Sequence, residues 1–373
     1  MGNIFTTGLF QQMLRSATPV ALAAMGGAMT EHAGIMNIGM DGMILMGAFT
    51  AVAVSIVTGS AFLGTMAAIA VGNLVGLFFA LFVVKFKSDE FIIGTALNIL
   101  AGGLTTFLMW AIFDIRGTVR TEYGLPTVDL GILGKLPFLG EIISGNSLFV
   151  YLTVGLVFVM WAFVYRTPVG FWIRAAGEHP GTLRTAGISP ERMKWLSSVI
   201  CGAFCGLAGA QLALGNVAMF SEGMSNNRGY VAFACVIFGG ANPKKAYLAA
   251  LMVGFFDALG YRLQEYDISS NLTSMIPYVI TVCMMVYVVV RSNKKKPVTA
   301  LRNPDGHGPS GCFFIWIAYF PAMRSRICWY SWTLEMPPGL VVERPAEVQA
   351  KVTTSRSSSS FRVSGALPVC SSL

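Results

Sequence analysis

The sequence predicts an all-α membrane protein, a polytopic helical bundle with about 8–10 transmembrane segments, some of them broken or short. The first observation is composition: 54% of the 373 residues are hydrophobic and only 12% are charged, whereas a soluble domain carries about 25% charged residues. The second is the length of the apolar runs, because a helix needs about 20 mostly apolar residues to cross about 30 Å of hydrocarbon. The third is that lysine and arginine collect in a few of the connections between these runs.

Most of the apolar runs are long enough to cross a membrane. They lie at residues 9–29, 38–57, 61–84, 91–113, 147–164, 196–219, 246–264 and 273–290. One further run, at 229–240, has about 12 residues, which reach only about 18 Å as a helix. We predict that it is a half-helix or belongs to a tilted span that begins earlier.

Lysine and arginine predict the orientation, because cytoplasmic loops collect them. Connection 165–195 is placed inside the cell because of its basic residues: Arg166, Arg174, Arg184, Arg192 and Lys194. Connections 114–146 and 265–272 are placed outside, since acidic residues dilute the charge of the first and the second has no Lys or Arg. The net charge of +8 is therefore a topology signal. No folded basic face that would bind nucleic acid is visible.

The first apolar run allows two arrangements. If both 9–29 and 38–57 cross the membrane, the N-terminus lies outside. Arg15 and the Gly26-Gly27 pair also permit a first segment that enters and leaves on the same side.

A polar, glycine-rich segment stands at the start of the second run, and it reads Glu-His-Ala-Gly-Ile-Met-Asn-Ile-Gly-Met-Asp-Gly from Glu31 to Gly42. Ionisable groups at membrane depth are rare and usually functional, and glycines let backbones approach closely. We predict a helix break near the cytoplasmic side that forms part of a moving gate, with Asp41 at the positive end of the 38–57 helix. The residues assigned to this break are Glu31, Asn37, Gly39, Asp41 and Gly42.

Four polar side chains lie inside other predicted spans, namely Asn73, Asn98, Gln211 and Asp257. A carboxylate at a helix centre costs about 2.5–3.5 kcal/mol on insertion scales, so such groups tend to face a wet cavity or a partner. These four residues are candidates for lining a pathway, and the alternative is that they only form hydrogen bonds between helices. The pairs Gly72/Gly76 and Gly202/Gly206 are typical of close helix packing.

Several kinds of site are not indicated. The 7 cysteines have no metal or disulfide spacing, Cys201 and Cys205 are predicted to be small packing residues, and the 3 histidines do not cluster. The sequence has no G-x-x-x-x-G-K-[ST] segment, so no nucleotide site or other cofactor is predicted in this chain. A membrane-embedded enzyme would need clustered catalytic groups, and His32 beside Glu31 is the only candidate. No catalytic residue or metal ligand is therefore assigned.

The character of the chain changes after Lys296. Residues 297–373 lose the long apolar runs and gain Pro, Arg and Ser. We predict a membrane domain at 1–295 and a tail at 297–373 that is disordered or that arises from a shifted reading frame.

The Glu31–Gly42 segment resembles the signature of permease subunits of bacterial ABC importers, in the nucleoside and simple-sugar branch of the branched-chain amino-acid/ribose-type superfamily. Further blocks are similar in the same order over about 1–295, at Ile92–Asn98, Arg174–Glu178, Ala186–Ile188, Ser197–Gly209 and Gly229–Pro243. The sequence departs from the family pattern at Thr182–Thr185, where relatives tend to have small residues.

The resemblance implies a multi-pass protein of the bacterial inner (plasma) membrane. It implies a cytoplasmic ATPase subunit that binds ATP, a second related permease subunit, an extracytoplasmic substrate-binding protein and a small polar substrate. Within connection 165–195 it implies a coupling loop that contains Arg174, Ala175, Gly177, Glu178 and Gly187. We expect residues 171–188 to dock on the ATPase through Arg174 and Glu178. The alternative is a solvated loop that is basic only for topology.

A secondary transporter driven by an ion gradient is the other function class that stays open. It would be expected to show paired acids near the midplane and inverted repeats of broken helices, and Asp257 alone is slight support. The scarcity of buried charge fits a neutral, hydroxyl-rich solute but does not separate a nucleoside from a sugar.

Overall fold

A computed structural model describes residues 7–128 and 145–264. The predicted span 273–290, connection 265–272, residues 129–144 of connection 114–146 and the tail 297–373 lie outside the described residues. The division into a membrane domain and a tail therefore stays a prediction.

The described residues are almost entirely helical. The helices are α1 (Thr7–His32), α2 (Met40–Thr58), α3 (Ala61–Ala80), α4 (Glu90–Phe113), α5 (Leu148–Arg166), α6 (Pro168–Glu178), α7 (Pro180–Thr185), α8 (Pro190–Ala210), α9 (Arg228–Gly239) and α10 (Pro243–Gln264). Helix α3 continues as a π-helical turn at Leu81–Lys85, and α8 continues as one at Gln211–Val217. Short antiparallel strand pairs connect the helices, β1 (Thr118–Arg120) with β4 (Met219–Ser221) and β2 (Thr127–Val128) with β3 (Asn146–Ser147).

The all-α membrane class is confirmed. Among the described residues, 6 helices are long and apolar enough to span a membrane: Met40–Thr58, Ala61–Lys85, Glu90–Phe113, Leu148–Arg166, Pro190–Val217 and Pro243–Leu263. The predicted half-helix at 229–240 is also observed, because α9 has only 12 residues and is bounded by the Gly240 turn at its end.

Helix α1 is the central helix of the described bundle. It has 26 residues, which is about 39 Å of helix, and every residue from Ser16 to Thr30 is buried. It packs against α5, α6, α8, α9 and α10. A helix that is buried on all sides belongs to the core of a bundle. The 9–29 run is thus one continuous helix, and the alternative of a re-entrant first segment is not what the fold adopts.

Helices α3 and α8 pack closely through their glycines, as predicted. A Cβ atom built on Gly202 would lie 2.2 Å from the Gly72 carbonyl oxygen, and one built on Gly76 would lie 2.5 Å from the Ser198 carbonyl oxygen. No side chain fits at these positions. The dispersion contacts between the two backbones therefore hold this pair together, as is usual where lipid gives no hydrophobic drive.

Different connecting segments lie at the two ends of the bundle. At one end the start of α4 and the α6–α7 connection approach the end of α1, since the Met36 N–H donates to the Glu90 carboxylate and Gly177 contacts Gly34. At the other end are the strand pairs and the α2–α3 turn, where the Ser55 hydroxyl lies 3.2 Å from that of Thr121. The predicted inner connection 165–195 and the predicted outer connection 114–146 therefore lie at opposite ends of the bundle, and which end faces the cytoplasm stays a prediction.

Candidate functional site: the break between α1 and α2

The break is the non-helical segment 33–39 between His32 and Met40. Gly34 has a φ of +71°, which lets it take the left-handed turn that commonly ends a helix. The Ile35 N–H then donates back to the Thr30 carbonyl at 2.9 Å. The turn satisfies the last carbonyls of α1 and sends the chain back into the bundle.

Asn37 fixes the far side of the break inside the protein. Its side chain is 2% exposed. Its Oδ1 accepts the Gly39 N–H at 3.0 Å, and its Nδ2 lies 3.3 Å from Cys201 Sγ in α8. The amide therefore orders the approach to α2 and attaches it to α8.

Asp41 joins the starts of two helices. It lies in the first turn of α2, as the sequence predicts. Its carboxylate also accepts the Gly229 N–H and the Ser225 hydroxyl, each at 3.0 Å. The Asp41 carboxylate thus binds the N-terminus of α9 as well as lying at the N-terminus of α2. A negative charge is favoured at both, because the N-terminal end of a helix is positive. A Cβ on Gly229 would lie 2.2 Å from the Asp41 nitrogen, so only glycine permits this approach.

Asn98 attaches α4 to the same break. Its Oδ1 accepts the Gly42 N–H at 2.7 Å, while its Nδ2 donates to the Ile38 carbonyl at 3.1 Å and to the Tyr230 hydroxyl at 2.9 Å. Gly42 allows the close contact, since a Cβ there would lie 3.0 Å from the Asn98 Cα. The amide holds the backbone on both sides of Met40.

Two acids lie near the other side of the break. The Glu90 carboxylate accepts a hydrogen bond from the Met36 N–H. Glu31 lies close enough to Glu90 for the two carboxylates to repel each other. Burial raises the pKa of Glu31, and the neighbouring Glu90 carboxylate raises it further. Glu31 follows the apolar part of α1, at the end of the bundle where α6 and α7 lie.

The inner face of α6 packs directly on the break. A Cβ on Gly177 would lie 2.3 Å from the His32 carbonyl oxygen and 2.8 Å from the Gly34 nitrogen. Ile173 and Ala176 are buried on the same side, whereas Phe171 and Glu178 are exposed. The α6–α7 hairpin thus has one face on the break and another face open.

Arg174 lies on the inner side of this hairpin. Its guanidinium stacks over the Tyr165 ring at 5.0 Å, and its buried Nε has no hydrogen-bond partner within the described chain. His32 meets the same ring edge-on at 6.0 Å. Burial lowers the pKa of His32, and the nearby Arg174 guanidinium lowers it further.

Other members of the predicted coupling loop are distributed around the hairpin. Glu178 is exposed, Ala175 is half-buried, and Gly187 is exposed with a φ of +80°. Arg184, in the segment that departs from the family pattern, forms an exposed ion pair with Glu191. Docking on an ATPase stays a prediction for all of them.

The break reaches deeper into the bundle than the sequence analysis placed it. The start of α9 binds Asp41, and just after its end the backbone of Ala241 lies near the His32 side chain. The 12 residues of α9 measure about 18 Å. The Gly34 side of the break therefore lies at the end of the bundle where α6 and α7 meet, and the Asp41 side lies well inside the bundle.

The remaining pathway candidates do not converge with Asn98. Asp257 accepts a hydrogen bond from the Ser16 hydroxyl in α1. Gln211 is fully buried in the π-helical turn and donates to the Ser147 hydroxyl at 2.8 Å. Asn73 is half-buried at the α3–α8 contact, and its Oδ1 has no partner within the described residues. Their role in a pathway stays a prediction.

Sequence reasoning missed three partners of the break: Ser225, Tyr230 and the carboxylate of Glu90. Ser225 lies 184 positions from Asp41, and Tyr230 lies 132 positions from Asn98. Glu90 lies 54 positions from Met36. Only a glycine at 229 and the shortness of the 229–240 run pointed to this region. Within the described chain, no group of three or more His, Cys, Asp or Glu is arranged to hold a metal ion.

Comparison with known proteins decides the family. The model of the family described as "Branched-chain amino acid transport system / permease component" matches residues 9–285. The chain belongs to this family. The resemblance predicted from the separated sequence blocks is therefore confirmed, and the protein is a multi-pass membrane permease component.

Three relatives are similar in sequence to this chain over most of its length. The chain is 31% identical over 312 residues to a putative glucose ABC transporter permease protein of Haloferax volcanii, covering 77% of this chain and 93% of the relative. It is 32% identical over 291 residues to a guanosine ABC transporter permease protein of Bacillus subtilis, covering 75% and 91%. Another guanosine ABC transporter permease protein of Bacillus subtilis is 28% identical over 269 residues, covering 68% and 73%. No solved structure matches.

Proposed function

We propose that this permease forms the translocation path of an ABC importer for a nucleoside or a simple sugar. A second related permease subunit would complete the path, cytoplasmic ATPase subunits would bind ATP, and an extracytoplasmic binding protein would deliver the solute. The relatives named for guanosine and for glucose transport support this choice of solutes. The two different guanosine permeases of one organism support a paired arrangement.

The contact of Gly177 with His32 and Gly34 is the observation that carries the proposal. A permease without a nucleotide site needs a surface through which another protein can move it. The outer face of the α6–α7 hairpin is exposed, and its inner face touches the turn that begins the break. Displacement of the hairpin by a docked subunit would therefore displace Gly34.

The polar chemistry of the described interior suits a neutral solute. Asn98 and Gln211 supply amide groups, and the carboxylate of Asp257 already has a hydroxyl partner. Such a path binds weakly and leaves selectivity to the binding protein. The alternative of a secondary transporter driven by an ion gradient does not fit, because the relatives are permease proteins of ABC transporters.

The test is to purify the permease in mild detergent, identify the ATPase that co-purifies, and reconstitute the complex in liposomes. We expect guanosine or glucose uptake that requires ATP and persists in the presence of a protonophore. An ATPase variant that lacks its phosphate-binding lysine is the control. Uphill uptake by the chain alone, without an ATPase, would overturn the proposal.

A further inference from the structure

Residues 222–227 form non-helical backbone beside the break. This segment leaves β4 and leads into α9, and its Ser225 binds Asp41. Asn226 has a φ of +42° and Asn227 a φ of +61°. Residues other than glycine seldom adopt such angles, and those that do cluster at functional sites.

This segment lies at membrane depth. Tyr230, in the first turn of α9, binds Asn98. Asn98 is the ninth residue of α4, which runs from Glu90 to Phe113. It is therefore about 12 Å from the start of α4 and about 22 Å from its end. The start of α9 and the segment before it are well inside the spanning part of the bundle.

The polar groups at this depth face open space. Asn226 and Asn227 are exposed, Arg228 is half-buried, and Tyr230 is 38% exposed. Irregular backbone at membrane depth is tolerated only where it is buried in protein or lines a water-filled cavity. A guanidinium at this depth also avoids lipid. A face of this kind lines a wet cavity or packs against another subunit, and only a wet cavity admits a water-soluble reagent.

We propose that Tyr230, Asn98, Asn227 and Arg228 form a contact site for a nucleoside as it passes through the membrane, an inference that rests on the proposed function. An exposed aromatic ring can stack on a nucleobase, whose flat face a sugar lacks. The Asn227 amide offers donors and acceptors to the base edge and the ribose hydroxyls, and the guanidinium offers the donors that its bond to the Met224 carbonyl leaves over. Both N–H groups of Asn98 are already bonded, so Asn98 contributes by holding the Tyr230 hydroxyl and through the second lone pair of its Oδ1. No opposite full charge is needed for a neutral solute.

The site is attached to the break by hydrogen bonds. The Tyr230 hydroxyl is held by Asn98, and Asn98 also holds the Ile38 carbonyl and the Gly42 N–H. A solute that displaces the Tyr230 ring would thus act on the backbone on both sides of Met40. A single side chain, Asn98, therefore contacts both the proposed nucleoside site and the proposed gate.

The test uses thiol labelling of the complete reconstituted complex. Thr95 lies on the same face of α4 as Asn98, one turn earlier, and is half-buried. A water-soluble methanethiosulfonate reagent should label Thr95→Cys above the level of a parent protein in which the four cysteines outside the described residues (Cys283, Cys312, Cys328 and Cys370) are replaced by serine. The three cysteines that remain, Cys201, Cys205 and Cys235, are buried. Guanosine should slow this labelling and glucose should not. Thr58→Cys, exposed at the far end of α2, is the matched control and should be labelled equally with and without guanosine.

A second substitution tests the aromatic contact. In the Thr95→Cys background, Tyr230→Leu should raise the guanosine concentration for half-protection about tenfold, the size expected for the loss of one base–aromatic stack. Tyr261→Leu removes another exposed tyrosine of a spanning helix and should leave protection unchanged. If Thr95→Cys does not accumulate in the membrane, Gly102→Cys takes its place, because Gly102 lies one turn after Asn98 on the same face of α4 and a Cβ there meets no atom within 4 Å.

Three results would overturn the inference. They are absence of labelling at both cysteine positions, labelling that guanosine does not slow, and protection that is the same with and without the Tyr230 ring. Protection by glucose alone would refute the nucleoside as occupant. None of these results depends on ATP-driven uptake, so the proposed function is judged separately by its own experiment.

Discussion

At the scale of single residues, Asp41 shows how a charged group is held inside the bundle. Its two carboxylate oxygens have separate partners, the Gly229 N–H and the Ser225 hydroxyl. A buried donor that loses its acceptor costs about 1–3 kcal/mol. The side chain therefore links the start of α2 to the start of α9, and its removal affects both helices.

Asp41→Leu should leave the protein in the membrane but reduce transport per inserted molecule severely, because the Gly229 N–H and the Ser225 hydroxyl lose their acceptor. Asp41→Asn keeps one acceptor oxygen, so its transport per inserted molecule should lie between that of the unaltered protein and that of Asp41→Leu. Uptake normalised to inserted protein is the measurement. Normal transport by Asp41→Leu would show that the segment serves only as an insertion signal.

Gly39→Leu should be at least as damaging through steric overlap. A Cβ at this position would already lie 3.3 Å from Asn37 Oδ1 and 3.4 Å from the Gly94 Cα, and the rest of a leucine has no room. Overpacking of this kind costs about 1–3 kcal/mol. Gly155→Leu in α5 is the comparison, since a Cβ on Gly155 has no atom within 4 Å. Equal uptake by the two variants would contradict the packing argument.

At the scale of elements, α6 acts on the break through its backbone. The contact needs glycine at 177, because a Cβ would lie 2.3 Å from the His32 carbonyl oxygen. The cap of α6 is independent of this contact, since the Thr167 hydroxyl accepts the Gly170 N–H at 3.1 Å. A change at 177 can therefore shift the helix without unfolding it.

Gly177→Ala should separate ATP hydrolysis from transport. The methyl group moves α6 away from Gly34, so we expect an assembled complex that still hydrolyses ATP and takes up solute at a strongly reduced rate. The ratio of solute transported to ATP hydrolysed is the measurement. Gly181→Ala in α7 is the matched control, because a Cβ there meets no atom within 4 Å. An unchanged ratio in Gly177→Ala would show that this contact does not transmit motion.

At the scale of the whole molecule, the bundle is arranged around α1. The six described helices that are long and apolar enough to span a membrane are α2 to α5, α8 and α10, and α1 fills the centre with small residues. The family match ends at residue 285, before the tail predicted at 297–373. The permease therefore has its family features upstream of Lys296.

Removal of residues 297–373 should leave membrane insertion and transport largely intact, because the family match and the basic residues that follow the last predicted span are complete by Lys296. The amount of inserted protein and the uptake per molecule are to be compared with the full chain. Loss of assembly with partner subunits at a normal membrane level would assign a function to the tail.

The sequence by itself determined the membrane class, most spans, the position of the break along the chain and the family. These properties depend on local composition, on run length and on short blocks of residues, which can be recognised without knowing what packs against them. The half-helix α9 was also predictable, because its 12 residues are too few to span.

Only the tertiary structure decided what the polar residues do. The sequence analysis assigned Asp41 to the helix break and Asn98 to a pathway, yet both side chains hold the break, through partners 188 and 56 positions away. The hydrophobic pattern of the sequence likewise did not predict that α1 lies at the centre of the bundle or that Asp41 lies deep inside it. Hydrogen bonds and backbone contacts between distant segments form only once the helices have packed, because glycine sites such as Gly177 and Gly229 allow particular approaches. No local property of the sequence records which approach is made.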